Sequence, residues 1–549
     1  MSAEPGENPE SQETKTEGHK KEARALVKHG SILSLFTLVS RLLGLAREMT
    51  KAAFLGTTAL SDAFSVAFML PNLFRRLFAE GAIAVAFIPT FKEYLLEESQ
   101  ESIKEFLSCI LTFLSFFVTL TVMLGIIFSP FLVRIFGMED FNETVFLTRM
   151  MFPFLAFISL AALFQGILNS VKVFAPSGLG PILLNLVTII CAYLLSPHTE
   201  NPARAMAVGV LIGGFMAAAI QLPFILRHKN RFRFFFTSVK KAIDNPGTRK
   251  VLRLIGPTII GMAAYQLNDL VSTALAGNAG EGIVSSLQFS LRLQELMLGI
   301  FAVSIGTVLL PDLAEYAKRK QWDIYNSRLS SAISIIAFIT IPVTFFFLSQ
   351  GESLIRLLFQ TRTFDEESVR LTLAAFTFHM PGLYFIALNR ILAPAFYAQS
   401  DTKSPTIAGL ISFVVNVTLA ALLVSRFRGA GIALALTIAS AVNTVALFYF
   451  FKRNPAITLG RTVKSALSYT LKLILFSALA ITPVLFLSPG LTEFFAGRGR
   501  IISNGVPILI NGLVFAAVGL ILLIFTKDQQ FFGIVKMLRN SHKGTKARG

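Results

Sequence analysis

The chain has 549 residues, 54% of them hydrophobic and only 15% charged, with a mean hydropathy of +0.65. These values exclude an ordinary soluble globular protein, and a formal net charge of +18 in so apolar a chain points to basic loops beside a membrane, with no nucleic acid as partner. The two cysteines, Cys109 and Cys191, both sit in apolar runs and read as packing residues, with no support for a disulfide framework or a thiolate metal site.

Taken in chain order, residues 1–28 are polar and charged without an apolar run, and are expected to be disordered and cytoplasmic, with no cleavable signal peptide. From Gly30 to Phe525, apolar stretches of roughly the 20 residues needed to span a bilayer recur about fourteen times. Their centres fall near 42, 74, 117, 157, 187, 215, 264, 297, 337, 381, 414, 440, 477 and 515. The expected fold class is therefore an all-α polytopic membrane protein. With the N-terminus inside, the loops after even-numbered helices face the cytoplasm. These include 227–253, with nine Lys or Arg, and Lys318-Arg319-Lys320, whereas 196–203 and 278–282 have none, and Glu139-Asp140 and Asp365-Glu366-Glu367 are acidic. The positive-inside rule then places both termini, including the basic tail 527–549, in the cytoplasm.

Two stretches read as copies. Phe87-Ile88-Pro89-Thr90-Phe91-Lys92-Glu93-Tyr94 and Leu309-Leu310-Pro311-Asp312-Leu313-Ala314-Glu315-Tyr316 each end a long helix, and their prolines stand 222 residues apart. A weaker echo pairs the segment from Pro176 to Asn185 with that from Pro405 to Asn416. Helices one to six thus repeat as seven to twelve, in the same orientation, which predicts two parallel six-helix lobes with a cavity between them. The expected boundaries are an N-lobe over 29–228, a basic linker over 229–250, a C-lobe over 251–455 and two added helices over 456–526.

Charges interrupt the first two spans, in Ser40-Arg41-Leu42-Leu43-Gly44-Leu45-Ala46-Arg47-Glu48 and Leu70-Pro71-Asn72-Leu73-Phe74-Arg75-Arg76-Leu77-Phe78-Ala79-Glu80-Gly81. An Arg or Asp at mid-membrane costs about 2.5 to 3.5 kcal/mol on insertion scales, so such charges require a wet or paired site. Pairing is one reading. Arg41 and Glu48 share a helix face, and Arg76 with Glu80 has i,i+4 spacing. For Arg41, Arg47 and Arg75 the cations outnumber nearby carboxylates, and a planar fork of donors suits phosphate oxygens, which points to a phosphate or diphosphate ligand. In the second repeat Glu295, three residues after Arg292, either orients that arginine or cancels it.

Asp62 stands where a carboxylate caps a helix start. Asp269, beside Asn268, is a lone carboxylate and a weak candidate for a cation. His379 reads as a packed core residue, and Pro71, Pro153, Pro257, Pro342 and Pro381 as kinks within spans. No nucleotide loop, metalloprotease helix or nucleophile elbow occurs, so neither a cofactor nor an enzymatic reaction is expected.

The two charged runs of the first spans, joined by Ser61-Asp62-Ala63-Phe64, resemble the N-terminal signature of the MurJ/MviN family of lipid II flippases. Ser290-Leu291-Arg292-Leu293-Gln294-Glu295, the run Ile305-Gly306-Thr307-Val308-Leu309-Leu310-Pro311 and Phe396-Tyr397-Ala398-Gln399-Ser400-Asp401-Thr402-Lys403-Ser404-Pro405 resemble it too, so the likeness covers nearly the whole hydrophobic chain. The resemblance implies a fourteen-helix member of the multidrug/oligosaccharidyl-lipid/polysaccharide exporter superfamily, with a groove for the lipid tail lined by the last two helices. It implies that Arg41, Arg47, Arg75 and Arg292 bind the diphosphate and sugar of lipid II, an undecaprenyl-diphosphate-linked disaccharide peptide, and that Asp62 and Glu80 are functionally sensitive. Arg76 and Glu295 join them as candidate substrate-binding residues. Where some members hold sodium through a helix-seven carboxylate, this chain has Ser272, with Asp269 three residues earlier, so the sodium pattern is broken. The competing readings are a multidrug or polysaccharide-unit exporter of the same superfamily, and a non-transporting scaffold whose partners are peptidoglycan-synthesis proteins. Beyond lipid II, membrane lipids are the remaining expected partner.

Overall fold

The computed structural model describes residues 35–77, 86–227, 232–301, 312–457, 459–533 and 536, and among these every regular element is a helix. The expected span centres fall in helices, except the tenth, which falls at a bend. The helices are α1 (35–55), α2 (Ala59–Arg75), α3 (Ile88–Glu97), α4 (Gln100–Ile127), α5 (Phe141–Met151), α6 (Phe154–Ser170), α7 (Ala175–Leu195) and α8 (Pro202–Ala219). After these come α9 (Pro246–Gly277), α10 (Ile283–Phe301), α11 (Trp322–Phe359), α12 (Glu366–His379), α13 (Gly382–Ala398), α14 (Lys403–Phe450), α15 (Leu459–Phe495) and α16 (Val506–Phe525).

Local chemistry sets their ends. Ser99 accepts from the N–H of Ser102 to start α4, Asn201 from Arg204 to start α8 with Pro202 at its first position, and Asp365 from Ser368 to start α12. Eight described helical segments are long and apolar enough to cross a bilayer, or nine if the bent pair α12 and α13 is one span. Helix α14 has 48 residues, roughly twice the length a bilayer requires, and breaks at Arg428, whose φ of 47° and ψ of −130° leave the helical region. Two spans meet there, which reconciles the expected centres at 414 and 440 with one continuous element.

The chain forms two compact units, whose boundary passes through α1 and α2. The first comprises Met1–Thr50, Ala67–Leu132 and Asn142–Ala263. Its core gathers the aromatics of the first repeat motif: Phe87 stacks on Phe91 at 5.3 Å, and Tyr94 on Phe106 at 4.3 Å. Helices α7 and α8 approach closely because Gly209 and Gly213, four residues apart, face the backbone of Thr188 and Leu184. A Cβ on either glycine would lie 2.8 or 2.9 Å from those Cα atoms.

The second unit comprises Lys51–Val66, Val133–Phe141 and Ala264–Gly549. Its bend lies between His379 and Gly382, where the two helices meet at 48°. Pro381 interrupts the ladder, and side chains of three other helices take up consecutive carbonyls: Thr437 donates to Phe378 at 2.6 Å, Gln294 to His379, and Thr344 to Met380 at 3.4 Å. Pro153 likewise separates α5 from α6, whereas Pro342 is accommodated inside the unbroken α11. The last two helices are tied to α11 by polar contacts in an apolar setting, Asn511 donating to Gln350 at 2.9 Å and Gln350 to Ser488 at 3.4 Å.

Candidate functional site

In the first unit, α1, α2 and the turn that follows α2 carry four guanidinium groups, Arg41, Arg47, Arg75 and Arg76, and, among the described residues of these elements in that unit, one carboxylate, Glu48. Shared helix face alone suggests Arg41 as the partner of Glu48. The structure gives that carboxylate to Arg47 instead, with Nη2 to Oε1 at 2.7 Å, both side chains nearly buried, and the Arg47 guanidinium 5.3 Å from the centre of the Phe68 ring. Arg41 is half-buried and makes no ion pair or hydrogen bond with the described residues. Arg75 is half-buried and donates through Nε to Asn72 Oδ1 at 2.9 Å, which fixes the stem. Arg76 is also half-buried, in a π-helical turn that follows α2. Its expected partner Glu80 lies outside the described residues. Forked guanidinium donors of this kind fit the non-bridging oxygens of a phosphate or diphosphate.

In the second unit, Asp62 is buried and does cap a helix, although not its own. Its carboxylate accepts from the backbone N–H groups of Gly282 at 2.8 Å and Ser285 at 2.7 Å, the opening turn of α10. The start of α2 is served instead by Thr58 Oγ1, which accepts from Ser61 N, and by Glu281, which accepts from Ala59 N at 2.8 Å. The N-terminal ends of α2 and α10 thus exchange carboxylates. Beside them Lys51 is 3% exposed, donates to Ser65 at 2.5 Å and Gln288 at 3.2 Å, and lies 4.9 Å from the Phe289 ring centre. Gly282, with φ of +75°, turns the chain where a Cβ would meet the carbonyl oxygen of Thr57 at 2.3 Å.

Arg292 and Glu295 form an ion pair at 2.9 Å with side chains 42% and 56% exposed. In α9, Asn268 and Ser272 both receive hydrogen bonds from Asn416 Nδ2, at 2.8 and 3.0 Å. Serine at position 272 therefore joins an amide and hydroxyl network. His379 is buried, with Nδ1 2.7 Å from Ser290 Oγ, beside the bend.

Sequence reasoning missed Lys51 and Glu281. The signal was present in the internal repeat: helices two and eight are counterparts, so charges in the turns that start them are natural candidates for partners.

These features define a multi-pass α-helical membrane protein of transporter architecture. A multidrug resistance transporter of the MATE family and MOP superfamily, in an inward-facing conformation, shares the fold, with a TM-score of 0.65 over 77% of this chain and 96% of that one, at 14% identity. The chain belongs to the lipid II flippase MurJ family, whose profile matches residues 51–498. A probable lipid II flippase MurJ from Treponema pallidum is 47% identical over 525 residues, covering 94% of this chain and 99% of the relative. A lipid II flippase MurJ from Burkholderia cenocepacia is 32% identical over 437 residues, covering 77% and 83%. A solved lipid II flippase MurJ in an inward closed conformation superposes with a TM-score of 0.74 at 26% identity, covering 90% of this chain and 99% of that one.

Proposed function

We propose that the chain carries lipid II from the cytoplasmic to the outer leaflet of the inner membrane by alternating access, as a transporter and not as an enzyme, and so supplies cell-wall synthesis. Membership of the flippase family along nearly the whole chain supports the cargo. The observation that carries the residue assignment is Arg41, a half-buried cation with no partner among the described residues, on the same helix as Arg47 and in the same unit as Arg75 and Arg76. These groups take the diphosphate and neighbouring sugar oxygens, and Arg292 of the second unit is a separate candidate for contact with the substrate. Asp62 serves by holding the start of α10, and Glu80 completes the charge pattern of the second span.

The basic loops 227–253 and 318–320 put both termini in the cytoplasm. They also offer charged surface to proteins of peptidoglycan synthesis. In that orientation an inside-negative potential assists outward passage of the diphosphate, by about 2.3 kcal/mol per charge at 100 mV. The potential therefore supplies a driving force without a sodium site, in keeping with Ser272 in place of a carboxylate.

The purified chain reconstituted in liposomes with lipid II on one face provides the test. Transfer of the headgroup to the opposite face, accelerated by an imposed potential of the right sign and absent from protein-free vesicles, is expected. No transfer by folded protein under either sign of potential overturns the reading.

A further inference from the structure

The stretch after α8 reads in sequence as a basic linker, yet residues 232–244 lie against α4. The backbone N–H groups of Phe235 and Thr237 donate to Ser108 Oγ at 3.1 Å and Thr112 Oγ1 at 3.0 Å, hydroxyls one helical turn apart. Two extended-chain donors that point the same way are thus satisfied by a helix. Phe232 turns inward, 5.7 Å from Phe91, and Phe234 stacks on Phe164 at 5.9 Å.

Other side chains turn outward. Phe235 is 50% exposed, Phe236 70%, and Ile243, on the short helix Val239–Asp244, 42%. Around them stand Lys104, 5.3 Å from the Phe235 ring centre, Arg233 and Lys240. None of these three cations is ion-paired among the described residues, whereas their neighbour Lys241 is held by Glu105 at 2.8 Å.

The depth of this patch follows from α4. Glu105 is the last charged residue of that helix, and Phe116, Phe117, Leu120, Met123, Leu124 and Ile127 form its outward apolar surface further on. At a rise of 1.5 Å per residue, Ser108 and Thr112 lie within about 10 Å of the last charge. That is the headgroup and upper acyl layer, where an interfacial apolar face inserts by roughly 5 to 10 Å.

We propose that residues 232–244 form an interfacial anchor that holds anionic phospholipid, with Phe235, Phe236 and Ile243 entering the acyl boundary and Arg233, Lys240 and Lys104 receiving headgroup phosphates. The occupant is bilayer lipid because the exposed aromatics continue the apolar surface of a spanning helix, and because cations flank them without counter-charges. The assignment of the patch to the cytoplasmic leaflet rests on the orientation proposed above. The lipid contact itself does not, and it is independent of the transported cargo.

Trp322 is the chain's one tryptophan, so Trp322→Phe with Phe236→Trp places a single reporter in the patch of the full chain. The protein is reconstituted, without lipid II, in phosphatidylcholine vesicles with or without phosphatidylglycerol, one lipid at a time carrying bromine on its acyl chains near the glycerol. Strong quenching is expected, roughly twofold greater with brominated phosphatidylglycerol than with brominated phosphatidylcholine at equal mole fraction, and Arg233→Gln with Lys240→Gln should abolish that preference. An unquenched reporter with water-exposed emission, or equal quenching by both lipids, overturns the proposal. Phosphatidylglycerol retained on the otherwise native chain, counted by native mass spectrometry with and without Arg233→Gln and Lys240→Gln, gives a readout that needs no reporter. Fewer retained molecules in the variant support the anchor, and unchanged retention overturns it.

Discussion

Glu281 accepts a hydrogen bond from the backbone N–H of Ala59 at 2.8 Å, and the two residues stand 222 positions apart, the interval that also separates Pro89 from Pro311. Equivalent helix starts in the two repeats therefore meet, and each receives a carboxylate from the other, since Asp62 closes the first turn of α10. Two positive helix ends and the buried Lys51 would otherwise repel, and the exchanged carboxylates offset that.

This exchange is unequal in burial, and the variants should reflect it. Asp62→Ala strands two backbone donors and leaves Lys51 without its nearby carboxylate, so a loss of roughly 2 to 3 kcal/mol is expected. Glu281→Ala acts at an exposed contact and should cost clearly less. Thermal unfolding of the purified variants in detergent measures both, and equal losses would contradict the assigned roles.

Arg41 and Arg47 are alike in sequence and different in structure. Arg41→Ala should leave stability nearly unchanged, whereas Arg47→Ala removes an ion-pair partner of the buried Glu48 and should cost roughly 1 to 3 kcal/mol. Arg47→Ala combined with Glu48→Gln should recover most of that stability without restoring lipid II binding. Melting temperatures and binding measured on the same samples separate the two effects.

The contact between Asn511 and Gln350 lies where interhelical hydrogen bonds contribute about 0.6 to 1.7 kcal/mol. Asn511→Leu should lower stability by an amount in that range, read as a lower melting temperature, and leave headgroup binding intact. A binding defect at full stability would instead assign this polar pair to the cargo pathway.

Asp528, just beyond α16, is buried, which alone would raise its pKa. Hydrogen bonds from Lys472 at 2.7 Å, Phe531 N at 3.0 Å and Tyr469 at 3.1 Å more than offset burial and hold the carboxyl below its usual value. A depressed folded pKa stabilises fully above the unfolded value of about 3.9 and loses that contribution as pH falls through the folded value. The stability gap between wild type and Asp528→Asn should thus be constant from neutral pH to about pH 5 and shrink below about pH 4. Thermal unfolding followed across that range shows whether it does.

The helices were legible because bilayer thickness forces a length and an apolar composition on each span, a constraint that needs no partner. The arginines of α1 and α2 were legible for the same reason, since a charge inside an apolar run is expensive. Their pairing was not. Helical spacing placed Arg41 with Glu48, but spacing defines a face and leaves side-chain direction open, and the adjacent Arg47 reached the carboxylate. The target of Asp62 was hidden because the capped helix begins 220 residues later in the chain. The docking of 232–244 on α4 was hidden by its charge, which masked the alternation of inward Phe232 and Phe234 with outward Arg233 and Phe235.

The central claim is that the arginines of the first two helices bind the diphosphate headgroup. It is tested most directly by measuring lipid II binding to the purified wild type, Arg41→Ala and Arg75→Ala, with an uncharged-headgroup lipid as control. The account predicts that both substitutions reduce headgroup-dependent binding at least roughly tenfold, the effect of losing one charge-assisted contact, while Arg41→Ala unfolds at the wild-type temperature. Unchanged binding by folded Arg41→Ala and Arg75→Ala would contradict it and return these arginines to a structural role.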